Sequence, residues 1–130
     1  MSIFMRVDQR SNLLKIEVEG EHSELEELRD VHVALDFLID NPGMNLLCDR
    51  RKQTRDRDPA FNLSVADLIR KKIQRVGPRK FAYVVSEDQI SRVNRKFCPA
   101  LTEHGLDIRI YSDLSGALSW LAEDRMERLA

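Results

Sequence analysis

The sequence predicts one α/β domain over residues 1–130, with a mixed five-stranded sheet and four helices. The sheet is expected to combine an N-terminal antiparallel hairpin with later parallel strands. Three observations predict it. Two apolar segments, residues 3–8 and 13–19, stand so close in sequence that they can pair only antiparallel. Three later apolar runs, at residues 45–49, 80–86 and 107–111, are short, like strands packed between helical layers. Between and after them, apolar residues recur at helical spacing, the pattern of crossover helices.

The elements follow in order. In the second segment Leu14, Ile16 and Val18 alternate with Lys15, Glu17 and Glu19, one face for a core and one for solvent. Residues 9–12 read as the turn before it, and Gly20 as its end. The first helix is expected from Ser23. Ser23 and Glu26 fit a capping box, and acids at Glu24, Glu26 and Glu27 suit the positive end of the helix dipole. Its inward stripe reads Leu25, Leu28, Val31, His32, Leu35, Leu38 and Ile39, and residues 41–43 (Asn-Pro-Gly) stop it. The third strand is expected to end at Asp49, followed by a loop. A second helix follows from about Ser64, with Val65, Leu68, Ile69, Ile73 and Val76 inward, Lys72 at the stripe edge, and Gly77-Pro78 beyond it.

Residues 80–86 read as a strand buried on both faces. A third helix is expected from Glu87-Asp88, with Ile90, Val93, Phe97 and Leu101 inward, a break at Pro99 and a cap at Gly105. After the fifth strand, Ser112 or Asp113 caps a fourth helix. Leu114, Ala117, Leu118 and Leu121 face inward there, with Trp120 partly buried on the flank.

Composition narrows the function classes. The chain is 42% hydrophobic and 33% charged, with no apolar run near the ~20 residues that span a bilayer. No basic segment followed by an apolar one opens it, so a cytoplasmic protein is expected. Cys48 and Cys98 are expected to be reduced thiols, with no spacing for zinc. The five glycines form no phosphate-binding loop, and no cofactor is expected. The net charge of −1 conceals blocks: residues 1–49 carry four basic and eleven acidic side chains, residues 50–96 fourteen and five. Such blocks suit an anion site, or contacts within the fold or between chains.

The chemistry-bearing candidates are few. His32 is expected as a core or boundary histidine, and His22 and His104 lie at helix ends. Asp49, at the end of a central strand, is either an acid catalyst or, more simply, a residue that orders the following loop. Arg50, Arg51, Lys52, Arg55 and Arg57 form a basic stretch at the strand end where open α/β sheets bind ligands. With Asp49 they offer an anion- or partner-binding site, unless Asp49, Asp56 and Asp58 neutralise them locally. No aromatic residue interleaves these bases, so nucleic acid is not expected. Val33 and Phe37, four apart on the charged side of the first helix, either cover neighbouring side-chain stems or form an interface. A contact of that face with the basic segment is expected to weaken as salt rises.

Four segments carry a family resemblance: residues 16–20 (Ile-Glu-Val-Glu-Gly), 46–49 (Leu-Leu-Cys-Asp), 81–85 (Phe-Ala-Tyr-Val-Val), and 107–111 leading to 117–121. In pattern and spacing over nearly the whole chain, the sequence resembles the STAS superfamily (sulfate transporter and anti-sigma factor antagonist), in its stand-alone bacterial branch. The resemblance implies a non-enzymatic module that binds a protein or a ligand; the Val33–Phe37 pair and the charge blocks add the expectation of a homodimer or partner complex. Anti-sigma antagonists carry a phosphorylated Ser just after the third strand. Here that turn reads Asp49-Arg50-Arg51-Lys52, with no Ser, so no switch residue is carried over. Similar small folds resemble lipid-transfer domains of the CRAL-TRIO type. That likeness leaves a small anionic or lipid-like ligand as the alternative, in a pocket at the ends of the central strands near Asp49.

Overall fold

The computed structural model describes residues 2–21, 23–53, 59–76, 79–87 and 107–129. Its elements are β1 (Ser2–Asp8), β2 (Leu13–Gly20), α1 (Glu24–Asp40), β3 (Asn45–Gln53), α2 (Pro59–Val76), β4 (Lys80–Val84), β5 (Asp107–Tyr111) and α3 (Leu114–Leu129). The helix expected between Glu87 and Gly105 (Ile90, Val93, Phe97, Pro99 and Leu101 with it) lies outside the described residues. So do His22, Cys98, His104, Gly77, Pro78 and the side chains of Ile73 and Val76.

The sheet order is β1-β2-β3-β4-β5, with β1 antiparallel to β2 and every other pair parallel. The hairpin turn is held by the Asp8 carboxylate, which accepts the backbone N–H groups of Arg10 (3.1 Å) and Ser11 (3.4 Å). Hydrogen bonds from Ser11 hold the Asp8 carboxyl below its ordinary value. Asn12 takes the positive φ (51°) that closes the turn, a conformation Asn tolerates better than most residues.

Parallel strands in consecutive order, joined by right-handed crossovers, put α1 and α2 on the same face. There Leu14, Ile16, Val18, Leu46, Cys48, Phe81 and Tyr83 meet Ala34, Leu35 and Leu38 of α1 and Val65 and Ile69 of α2. The opposite face is covered by α3, where Ala117, Trp120 and Leu121 pack on Leu13, Leu47, Ala82 and Val84. β4 is therefore buried on both sides, as its apolar run predicts. Among the described residues no helix is long and apolar enough to cross a membrane.

Several expectations change. The Ser23 side chain makes no capping hydrogen bond; only its backbone carbonyl is used, by Glu27 N at 3.0 Å. The inward face of α1 is rotated from the expected stripe: Glu27, Ala34, Leu35 and Leu38 are buried, whereas Leu25 is 81% exposed and His32 is exposed. α2 begins at Pro59, a residue suited to a first helical turn, rather than near Ser64. Trp120 is 3% exposed rather than partly buried. Its ring lies under two cations, with Lys80 Nζ 4.9 Å and Arg109 Cζ 4.8 Å from the centroid, and Lys80 also donates to the Trp120 carbonyl at 3.1 Å. The Asp113 cap holds: its carboxylate accepts Gly116 N at 2.8 Å.

Candidate functional site

The basic stretch after Asp49 is not a loop at its start. β3 runs on to Gln53, so Asp49, Arg50, Arg51 and Lys52 are strand residues. Glu17 pairs with Asp49 but Glu19 with Lys52, so two residues of β3 oppose one of β2. This β-bulge falls at Arg50 and Arg51 and re-aims the side chains around it.

Alternation places Leu46, Cys48 and Arg50 on the helical face. Arg50 is drawn beneath α1, where its Nη2 donates to the Glu27 carboxylate and its Nη1 to Gln53 Oε1 at 2.9 Å. Glu27 is 1% exposed, the most deeply buried charge among the described residues. Burial disfavours the charge on Arg50, but Cys48 and the Glu27 carboxylate beside it hold its pKa above the ordinary arginine value. On the opposite face Arg51 grips Asp49 with two side-chain bonds, Nε to Oδ1 at 3.0 Å and Nη2 to Oδ2 at 2.8 Å. Burial alone would raise the Asp49 carboxyl, but the hydrogen bonds from Arg51 outweigh it and hold the group below its usual value. Lys52 Nζ meets Glu19 Oε1 at 3.3 Å.

Each of the three described cations of the basic stretch thus has a carboxylate partner inside the fold. Arg55 and Arg57 lie outside the described residues. The structure separates what the sequence groups together: Arg50 joins α1, while Asp49 and Arg51 form a local clasp on the α3 side.

Between α1 and the sheet runs an apolar cleft with a cavity of about 50 Å³, lined by Ile3, Met5, Asp30, Ala34, Cys48 and Arg50 among others. That volume holds roughly three to five water-sized groups. Among the described residues Arg50 Nε and Gln53 Nε2, both buried, have no hydrogen-bond partner.

The other predicted pair, Val33 and Phe37, lies at the surface, 54% and 36% exposed. Lys72 Nζ reaches Asp36 Oδ1 at 2.8 Å, so α2 lies along one flank of α1. Asp30, which lines the cleft with Ile3 and Met5, marks the other flank, and Phe37 stands two turns on from it. That flank borders β1, the sheet edge, where Phe4 (55%) and Val7 are also exposed. Among the described residues no strand pairs with the outer side of β1.

Sequence reading missed Glu27 and the β1 edge. Glu27 carried a usable signal. Residues 27, 31, 34 and 38 share one helix line, so Glu27 occupies a core position, and the even-numbered alternation Leu46, Cys48, Arg50 sends a cation to the same face. No protein-family model matches the chain, and no curated protein does.

Proposed function

We propose that this chain is a non-enzymatic binding module that engages another polypeptide through the face made by β1 and the adjoining flank of α1. One observation carries the reading: among the described residues the outer edge of β1 is unpaired, with exposed Val7, Val33 and Phe37 on its α1 side and exposed Phe4 on the opposite side of the strand. Bare strand edges recruit further strands unless the fold blunts them, and exposed apolar side chains on both sides of such an edge, bordered by charged residues, suit a contact surface. The basic stretch competes poorly for the role, because its described members are already paired. The resemblance to STAS modules points the same way.

A photo-reactive residue at Phe4, Val33 or Phe37 tests the reading in the cells that make the protein. Polypeptide adducts are expected from these positions and not from exposed Ser119 on α3, and Phe37→Asp is expected to abolish the adduct at Val33. Equal labelling from both faces, or none, would overturn it.

The cleft supports a second reading, an apolar small ligand seated under α1 next to the Glu27–Arg50 pair. A cavity bounded by apolar side chains with a few convergent polar groups is its basis. A bound mass in native mass spectrometry would favour it.

A further inference from the structure

We infer that the partner of the β1 face is a second copy of this chain, joined by antiparallel pairing of the two β1 strands about a two-fold axis at Met5. The inference rests on the binding face proposed above and names its occupant.

The register follows from the strand itself. β1 has seven residues with Met5 at the centre, so pairing about Met5 uses the whole strand: Ser2 opposite Asp8, Ile3 opposite Val7, Phe4 opposite Arg6. A shift to Arg6 would oppose two arginines, and a shift to Phe4 would leave Val7 and Asp8 beyond the paired segment.

The charges around Arg6 favour this arrangement. Within one copy Arg6 stands directly opposite Lys15, and like charges so placed are unfavourable. Lys15 turns to Asp8 at 3.6 Å, while among the described residues neither Arg6 nor Glu17 forms a salt bridge; Glu17 feels only the field of Arg51, whose guanidinium is clasped to Asp49. Phe4 stands opposite Glu17, and Phe4, Arg6, Lys15 and Glu17 line a shallow groove on the half of the sheet that α3 leaves bare. Pairing about Met5 sets Arg6 of the second copy beside Phe4, in the row that ends at Glu17. Its guanidinium can lie over the Phe4 ring and reach the Glu17 carboxylate. The symmetry makes each such contact twice.

On the other face, Ile3, Met5 and Val7 of the two copies meet at the seam. Ile3 and Met5 already line the cleft under α1, so the second copy would extend that lining beyond the β1 edge. Val33 and Phe37 of each α1 then flank the seam. The result is one ten-stranded sheet with closed two-fold symmetry.

Sedimentation equilibrium tests this on the full chain. The wild type is expected to dimerise. Arg6→Glu should raise the dissociation constant by about tenfold or more, and adding Glu17→Arg should recover most of that loss, because the exchange restores opposite charges across the seam. In a Cys98→Ala background, Met5→Cys should give a disulfide-linked dimer under mild oxidant. Opposed strand residues lie about 4.5–5.5 Å apart between Cα atoms, inside the range of disulfides. Arg10→Cys, in the turn, should not. Met5 and Arg6 lie on the edge strand and Arg10 in its exposed turn, and circular dichroism checks that each variant folds. A dimer indifferent to Arg6→Glu with no Met5→Cys disulfide would overturn the inference. So would a wild type monomeric throughout the micromolar range. In that last case, Val33 adducts to a different protein would leave the broader binding reading standing, and their absence would remove both.

Discussion

The end of β3 and the edge at β1 make opposite use of their side chains. At the end of β3, three cations in a row look like a site in the sequence, yet each meets a carboxylate of the same chain: Arg50 with Glu27, Arg51 with Asp49, Lys52 with Glu19. At β1 the sequence shows little charge, yet among the described residues the folded strand has an unpaired outer edge, exposed Phe4 and Val7, and an arginine facing a lysine. A candidate surface is therefore better judged by what the fold leaves unsatisfied than by the density of charge along the chain.

The largest expected effect tests the satisfied region. Glu27→Ala removes one partner of a buried pair and leaves Arg50 charged beneath α1, which typically costs about 3–5 kcal/mol. Urea unfolding followed by circular dichroism measures it. A loss under about 1 kcal/mol would mean that Arg50 finds another partner or water, and the contrast with β1 would blur.

Next in size is a matched pair of substitutions on the face opposite α1 and α2. Leu121→Ala, under α3, should cost roughly 2–5 kcal/mol. Phe4→Ala, on the bare half of the same face, should change the stability of the single copy by no more than about 0.5 kcal/mol. Equal losses would show that Phe4 is packed within one copy and is not available to a partner.

The extent to which the fold was legible in the sequence follows the same division. Leu14, Ile16 and Val18 declared their face by simple alternation, and the order of strands and helices required parallel pairing. The α1 stripe was misread because Leu25 and His32 satisfy helical spacing as well as Glu27 does. Only Arg50, 23 residues further along the chain, makes a buried carboxylate tolerable, and local spacing cannot show so distant a partner. The extension of β3 past Asp49 was hidden for a related reason. A run of charged residues reads as a loop until the partner strand supplies hydrogen bonds and counter-charges. Val33 and Phe37 were identified from local spacing, but the unpaired neighbour that gives them meaning is a property of sheet order.

The smallest effect concerns acid. The Asp49 carboxyl is held below the ordinary aspartate value of 3.8 because, against the opposing effect of burial, Arg51 bonds its charged form. A depressed carboxyl contributes stability that is present above the unfolded pKa and is lost as pH falls through the folded one. Wild-type stability should therefore decline below about pH 3.8 partly through this clasp. Asp49→Asn should make the decline shallower in acid titrations followed by circular dichroism. An unchanged slope would show the clasp to be an exposed pair of little consequence.

The placement of Trp120 carries a practical consequence. It is the chain's one tryptophan, enclosed on the α3 side between Lys80 and Arg109. Its indole is thus an optical reporter for a single layer of the molecule. Emission should move to the red when α3 lifts from the sheet and stay nearly constant while events at the β1 seam proceed. Intrinsic fluorescence and hydrodynamic size then become independent channels, one reading the integrity of α3 and the other the state of the opposite edge.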